Sequence, residues 1–314
     1  MDIEFVPRRL SKFISDAASL SHRACRRAMA RGEISIAKPG GVERRAESLG
    51  EYVFAEDRVW LGGELLAITP ASVYIVLNKP TGVISTLSDP SGRRCLAEWV
   101  NELPAGVFPV GRLDRDTTGV LLLTDDGDLS YMMLGPRFHV EKTYRLDVRG
   151  EVREQDERLE LLRAGVDLGD GKPAARALSA CVVRSECDSS SVEVIIDEGR
   201  YRQVRKMSRR VRFYLEHLER TKFGPLELGE LERGDTRALD ADEVDALWEI
   251  CGGRDLPTQR AIGALARHAR RWRAEGRPHE RVEAWLAAWR DEHGSLPVFE
   301  DQAREWDTEG ETGA

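Results

Sequence analysis

The sequence predicts an α+β protein of two domains followed by a helical C-terminal addition. Three observations lead there. A length of 314 residues amounts to about two domains of ordinary size. Apolar residues recur at helical spacing near the start, then in alternating or short continuous runs through the middle. From about Arg254 the strand-like runs cease, and residues 261–272 and 281–289 read as helices parted by Gly276-Arg277-Pro278, with a Gly-containing acidic end behind them. The predicted divisions are residues 8–66, 73–253 and 254–314.

Composition narrows the class. Hydrophobic content of 41% can fill a core, and charged content of 32% can cover it. Residues 1–5 lack the basic and apolar regions of a signal peptide, and no later apolar run is long enough to span a bilayer. Cys25, Cys95, Cys181, Cys187 and Cys251 are odd in number and lack CxxC spacing, which fits reduced thiols better than disulfides or a zinc site. A cytoplasmic protein without a bound metal and without membrane contact is expected. The net charge of −8 hides a strong asymmetry. Arg200, Arg202, Arg205, Lys206, Arg209, Arg210, Arg212, Arg220 and Lys222 crowd one stretch, while much of the acid lies in the tail. Local field decides where a polyanion docks.

In chain order, Leu10, Phe13, Ile14 and Ala17 fall at helical spacing, and Ser21 can cap a second helix that ends at Arg31 before Gly32. That helix carries Arg23, Arg26, Arg27 and Arg31 around Ala24 and Ala28. An alternating strand follows at 33–37, and residues 66–72 read as a linker. Residues 73–77 are a buried-strand candidate, ending in the turn Asn78-Lys79-Pro80-Thr81-Gly82 before a second strand at 83–87; residues 89–93 form a polar turn-type loop. Next comes Gly111-Arg112-Leu113-Asp114-Arg115-Asp116-Thr117-Thr118-Gly119, an acidic loop bounded by Gly, before the apolar run 120–123. Asp114 lies between Arg112 and Arg115, and either guanidinium could hold it ionised. Residues 142–148 alternate, so Tyr144, Leu146 and Val148 share one strand face. A strand at 191–197 leads into a stretch where Val204, Met207, Val211, Tyr214, Leu215 and Leu218 predict one amphipathic helix with an arginine-studded outer face. Trp272, Trp285, Trp289 and Trp306 are expected to pack rather than stack on bases.

Four of these stretches, in order, resemble the motifs of the pseudouridine synthases that modify ribosomal RNA, of the RsuA/RluB type. They are Asn78-Lys79-Pro80-Thr81-Gly82-Val83, the Asp114 block, Lys142-Thr143-Tyr144, and Gln203-Val204-Arg205, with 226–231 and 234–239 matching the family's ending. Residues 8–66 resemble the S4-like RNA-binding domain, departing at 18–22, where Gly and an Arg pair are typical, and in a longer connection at 39–49. Arg202 stands where His is common, and Ser208-Arg209-Arg210-Val211-Arg212 replaces a small, Gly-containing step.

The resemblance implies a catalytic domain with a mixed, mainly antiparallel sheet and a cleft across its middle. It implies Asp114 as nucleophile, Tyr144 as the active-site tyrosine and Arg205 as the partner of Asp114. Arg23, Arg26, Arg27, Lys79, Arg112, Arg202, Gln203, Lys206 and Arg209 are the expected RNA contacts. The substrate would be structured ribosomal RNA, met by a monomer without a cofactor. Residues 84–92 and the lead-in Pro109-Val110-Gly111 look closer to the branch acting on large-subunit RNA.

Other readings fit less. Asp114-x-Asp116 also matches the nucleophile motif of haloacid-dehalogenase-type phosphatases, but that motif should end a buried strand, and here the apolar strand follows. A Ca²⁺ loop lacks its terminal Glu and flanking helices. A non-catalytic RNA-binding or ribosome-assembly protein has no need of Asp114, Tyr144 and Arg205 together.

Overall fold

A computed structural model describes residues 2, 4–67, 72–277 and 279–297. The acidic tail, Trp306, Pro278 and most of the expected linker lie outside the described residues. The chain opens with β1 (Arg8–Arg9), α1 (Leu10–Ala18), α2 (His22–Arg31), β2 (Ile34–Ala37), β3 (Arg44–Arg45), β4 (Tyr52–Val53), β5 (Arg58–Leu61) and β6 (Glu64–Leu65). It continues with β7 (Tyr74–Lys79), α3 (Ala97–Val100), β8 (Phe108–Pro109), β9 (Thr118–Thr124), α4 (Gly127–Leu134), β10 (Lys142–Arg149) and α5 (Glu157–Ala164). Then come β11 (Ser179–Ser185), β12 (Ser189–Ile196), α6 (Gln203–Arg210), β13 (Leu215–Phe223), β14 (Leu226–Glu227), β15 (Thr236–Ala238) and α7 (Ala241–Ile250). Last are α8 (Leu256–Glu275) and α9 (Glu280–His293). By internal contacts, the described residues among 71–253 form one compact unit, and those among 1–70 and 254–314 form the other.

In the N- and C-terminal unit, α2 forms where its end signals put it. Ser21 Oγ accepts from Ala24 N at 3.2 Å, and Gly32 closes the helix in the left-handed region at φ 68°. Leu10, Phe13 and Ile14 of α1 and Cys25 and Ala28 of α2 pack on Ile34, Ile36, Val53 and Val59. Helices α8 and α9 belong to this unit, sharing a second core with Val6 and Phe54 through Ile262, Leu265, Ala266, Ala269, Val282, Trp285 and Leu286. Trp285 is fully buried and stacks on Trp289 at 5.5 Å between centroids, while Arg281 reaches Asp57 at 2.9 Å.

The other unit is built on a mixed sheet in the order β11-β12-β10-β13-β9-β7-β15, with β14 on β13 and β8 on β9. Its pairings are antiparallel except β13 with β9. Every residue of β9 is buried, as a central strand covered on both faces requires. One large core gathers Leu77, Leu121, Leu123, Leu146, Val148, Leu159, Leu162, Val204 and Met207. No helix among the described residues is long and apolar enough to cross a membrane.

Two sequence expectations are corrected. The helix predicted across 204–218 stops at Arg210, Arg212 turns the chain at φ 61°, and residues 215–223 are a strand. Pairing of β13 between β10 and β9 overrides an apolar spacing that continues past the helix end by coincidence. Residues 83–87 are not a strand: Ile84 makes only a single bridge to Cys95, and the segment is spent holding the next loop.

Candidate active site

The site is built around the turn that leads into β9. Lys79 at the end of β7 pairs with Gly119 at the start of β9, so the loops beyond both strands meet at one edge of the sheet's centre. From Leu113 to Thr117 every backbone carbonyl has a partner. Ser85 Oγ donates to Leu113 O at 2.8 Å and accepts from Leu113 N at 3.1 Å. Thr117 N donates to Asp114 O at 3.0 Å, and Gly82 N to Arg115 O at 2.8 Å. Arg205 Nη2 donates to Asp116 O at 2.8 Å and lies 3.1 Å from Thr117 Oγ1. Lys79 Nζ donates to Thr117 O at 2.9 Å, to Pro80 O at 3.0 Å and, at 3.4 Å, to Arg115 O. A loop tied this way has little freedom left, so the carboxylate it carries is pre-positioned.

Asp114 keeps 24% of its side chain exposed, and its Oδ2 lies 3.7 Å from Arg205 Nε and 3.9 Å from Arg202 Nη1. The pairing with Arg205 is the expected one. The sequence neighbours Arg112 and Arg115, expected to flank it, do not pair with it: Arg112 is exposed, and Arg115 donates to Gly82 O at 3.3 Å. The partners come instead from α6 and its N-terminal cap, which supply Arg205 and Arg202. Arg205 Nε is buried and makes no hydrogen bond, which leaves an unpaired donor 3.7 Å from the carboxylate. Burial lowers the pKa of Arg205 most, with Arg202 adding to the effect and Asp114 and Asp116 opposing it. Arg202 sits at the N-terminal cap of α6 in the left-handed region, at φ 52°.

Tyr144 is joined to this turn by register. It pairs with Arg220 across β10 and β13, and Arg220 pairs with Gly119 across β13 and β9. The Arg220 guanidinium is buried beside Tyr144, whose electrostatic pull opposes the larger lowering of the Arg220 pKa by burial, and its Nη2 has no hydrogen-bond partner. Arg220 Nε also donates to Val120 O at 2.9 Å. Gly119 is obligatory here: at φ 109°, a Cβ would lie 2.1 Å from Arg220 O.

The remaining expected contacts divide. Lys206, half-buried over the Tyr201 ring at 5.5 Å, and exposed Arg209 lie on α6. Exposed Arg23, Arg26 and Arg27 lie on α2, in the other unit. Lys79 and Gln203 are corrections. Lys79 is fully buried and braces the loop, leaving no donor to reach a phosphate. Its burial brings the pKa down to about 8, against the opposing pull of Asp116 and Asp114. Gln203 is buried, with its amide donating to Glu198 Oε1 at 2.8 Å and accepting from Arg200 N at 2.9 Å. Sequence reasoning missed Ser85, Thr117 and Arg220, each of which acts through backbone or through a cross-strand neighbour.

Residues 73–210 match the RNA pseudouridylate synthase family. An RNA pseudouridine synthase of Mycobacterium tuberculosis is 35% identical over 247 residues, which span 78% of this chain and 94% of that protein. The ribosomal large subunit pseudouridine synthase B of Bacillus subtilis is 33% identical over 76% of this chain and 95% of its own length. Among solved structures, a pseudouridylate synthase aligns with TM-score 0.52 and 30% identity, covering 76% of this chain and 99% of that one. With Arg205 beside the Asp114 turn, Tyr144 joined to that turn through the register of β13, and relatives matched over almost their whole length, the chain belongs to the RNA pseudouridine synthases.

Proposed function

We propose that this enzyme isomerises a specific uridine of ribosomal RNA to pseudouridine, in the large-subunit RNA rather than the small, with Asp114 as its nucleophile. One observation carries the assignment of Asp114: the loop is bonded at each carbonyl from 113 to 117, yet the carboxylate itself remains open beside two guanidinium groups. The name of the Bacillus subtilis relative supports the large-subunit target.

A uridine in structured RNA must be unstacked and flipped to reach such a site. Attack by Asp114 divides one hard exchange into easier steps. The bond from uracil N1 to ribose C1′ breaks, the base turns, and C5 bonds to C1′. The proton on C5 then leaves and N1 gains one, so the reaction balances as an isomerisation, with no electrons or groups exchanged with a co-reactant. Tyr144, with the Arg220 guanidinium beside it, stacks on the flipped base and takes the C5 proton. Arg205 holds and aims Asp114. The N-terminal module acts as an S4-like anchor through phosphate contacts from Arg23, Arg26 and Arg27, and Arg112, Arg202, Lys206 and Arg209 contact RNA near the site. The enzyme works in the cytoplasm as a monomer, without a cofactor.

The test is pseudouridine mapping on 16S and 23S ribosomal RNA transcripts incubated with the purified protein. One new pseudouridine in the 23S transcript is expected. Modification of 16S RNA alone would reassign the target, and modification of neither would remove the reading.

A further inference from the structure

We propose that α8 is a second RNA-docking element, holding the phosphate backbone of the substrate RNA along a strip formed by Arg267, Arg270 and Arg271. The proposal rests on the reading above that the substrate is RNA. It concerns a part of the chain outside the motifs that define the family: the relatives match about three quarters of this chain while being covered almost completely themselves.

The strip follows from how α8 packs. Ile262, Leu265, Ala266 and Ala269 recur at three- and four-residue intervals and are buried against α9 and the N-terminal module. This turns Arg267 and Arg271 to the opposite side of the helix and Arg270 to its flank. Arg270 and Arg271 are exposed and Arg267 is half-buried. None of the three has an ion pair or side-chain hydrogen bond among the described residues. Arg273, by contrast, is held by Glu283 of α9.

Electrostatics make this arrangement costly for the helix alone. Residues 256–274 contain no Asp or Glu, although the whole chain carries a net charge of −8. Arg267 faces Arg270 at i,i+3 and Arg271 at i,i+4, where like charges destabilise a helix instead of bracing it. An ordinary solvated face interleaves acid with base, as α9 does. A further cation is fastened to the strip: Arg9 Nη2 lies 2.9 Å from His268 Nε2, and Tyr52 Oη lies 3.0 Å from His268 Nδ1. Arg has no acceptor, so His268 Nε2 must accept, and the ring proton is on Nδ1, donated to Tyr52. Tyr52, His268 and Trp272 form an aromatic cluster beneath, which fixes the line of the helix on its module. A rigid, acid-free row of guanidinium groups complements a regular row of phosphates.

The experiment uses the full-length protein with Arg267, Arg270 and Arg271 all changed to Gln, beside an all-Lys version and an Arg290→Gln control on α9. Binding to a 23S ribosomal RNA transcript and to an unrelated RNA hairpin is measured across a salt series. The Gln variant is expected to lose about tenfold or more in affinity for both RNAs, and its slope of log affinity against log salt to fall by about 2 to 3. The Lys version should keep most of the parent slope, and the control all of it. Pseudouridine formation should be unchanged in the Arg290→Gln control. An unaltered slope in the Gln variant overturns the proposal, as does equal loss in the control. If the parent forms no pseudouridine but the slope still falls, the enzymatic reading fails and the docking strip stands.

Discussion

Around Asp114 the cations are tied down, whereas along α2 and α8 most of them are not. Arg205 donates to Asp116 O and reaches Thr117 Oγ1, Arg115 donates to Gly82 O, and Lys79 holds three carbonyls from full burial. Arg23, Arg26, Arg27, Arg270 and Arg271 are exposed and carry no such bonds among the described residues. The same residue type thus does two jobs. Desolvated and multiply bonded, it sets geometry; solvated and unpaired, it is available to a polyanion. Substitutions in the first region should therefore change turnover, and those in the second should change affinity and its salt dependence.

The largest effect is expected from Asp114→Asn, which keeps the size of the side chain and removes the attacking charge. Single-turnover pseudouridine formation should fall by about three orders of magnitude or more, while RNA affinity stays near that of the parent. Substantial activity in this variant would take Asp114 out of the chemistry. Arg205→Met comes next. It removes the hold on Asp116 O together with the unpaired donor beside Asp114, and a carboxylate displaced by about 1 Å costs on the order of 100-fold in rate. Loss of hydrogen bonds from a charged donor should also lower stability by about 1.5–3 kcal/mol, visible in chemical denaturation.

Lys79→Met should lower the rate by about tenfold through a loosened loop, in line with the cost of a small misplacement. It also bears on pH. The folded pKa of Lys79 is lowered to about 8 from 10.5, so between these values the unfolded chain binds more protons than the folded one. Its contribution to stability therefore rises with pH across that window. The amine, with one donor fewer, holds the loop less well, and turnover should decline above pH 8. A pH–rate profile of Lys79→Met that lacks this decline would assign it to Lys79; an identical profile would not. The smallest effect belongs to Arg209→Ala, with a loss of a few-fold in affinity and a decrease of about 1 in salt slope, at unchanged saturated rate. Equal damage to turnover from Arg205→Met and Arg209→Ala would erase the distinction between the two regions.

How much was legible in the sequence follows the same division. The Asp114 block was readable because its chemistry is local: a carboxylate in a Gly-bounded turn before a strand. Helix α2 was readable because Ser21 and Gly32 mark its ends in the chain itself. The brace beneath Asp114 was not, since a lysine that serves backbone carbonyls leaves no pattern of side-chain types. Ser85 was hidden for the same reason, inside a segment that alternates like a strand. At 211–218 the apolar spacing fits a helix, and only the pairing of β13 with β10 and β9 decides otherwise. The apolar stripes of α8 and α9 announced that they pack, and Trp285 does, but a stripe does not say against what.

The closeness of Gly119 to Arg220 bears on the order in which the enzyme comes into being. The parallel pairing of Thr118 with Glu219 joins segments far apart in the chain, and such contacts form late because the intervening loop must first be closed. A ribosome delivers the Asp114 turn long before it delivers Arg205 or the strand at 215–223. Until residues 202–205 emerge, the Asp114 turn lacks its guanidinium partners, and until residues 215–223 emerge it lacks the strand that seats Gly119. A fragment arrested short of about residue 223 is therefore expected to carry the Asp114 turn without forming pseudouridine. The site can close only once Arg220 has been made, because its backbone carbonyl lies where any Cβ at position 119 would stand.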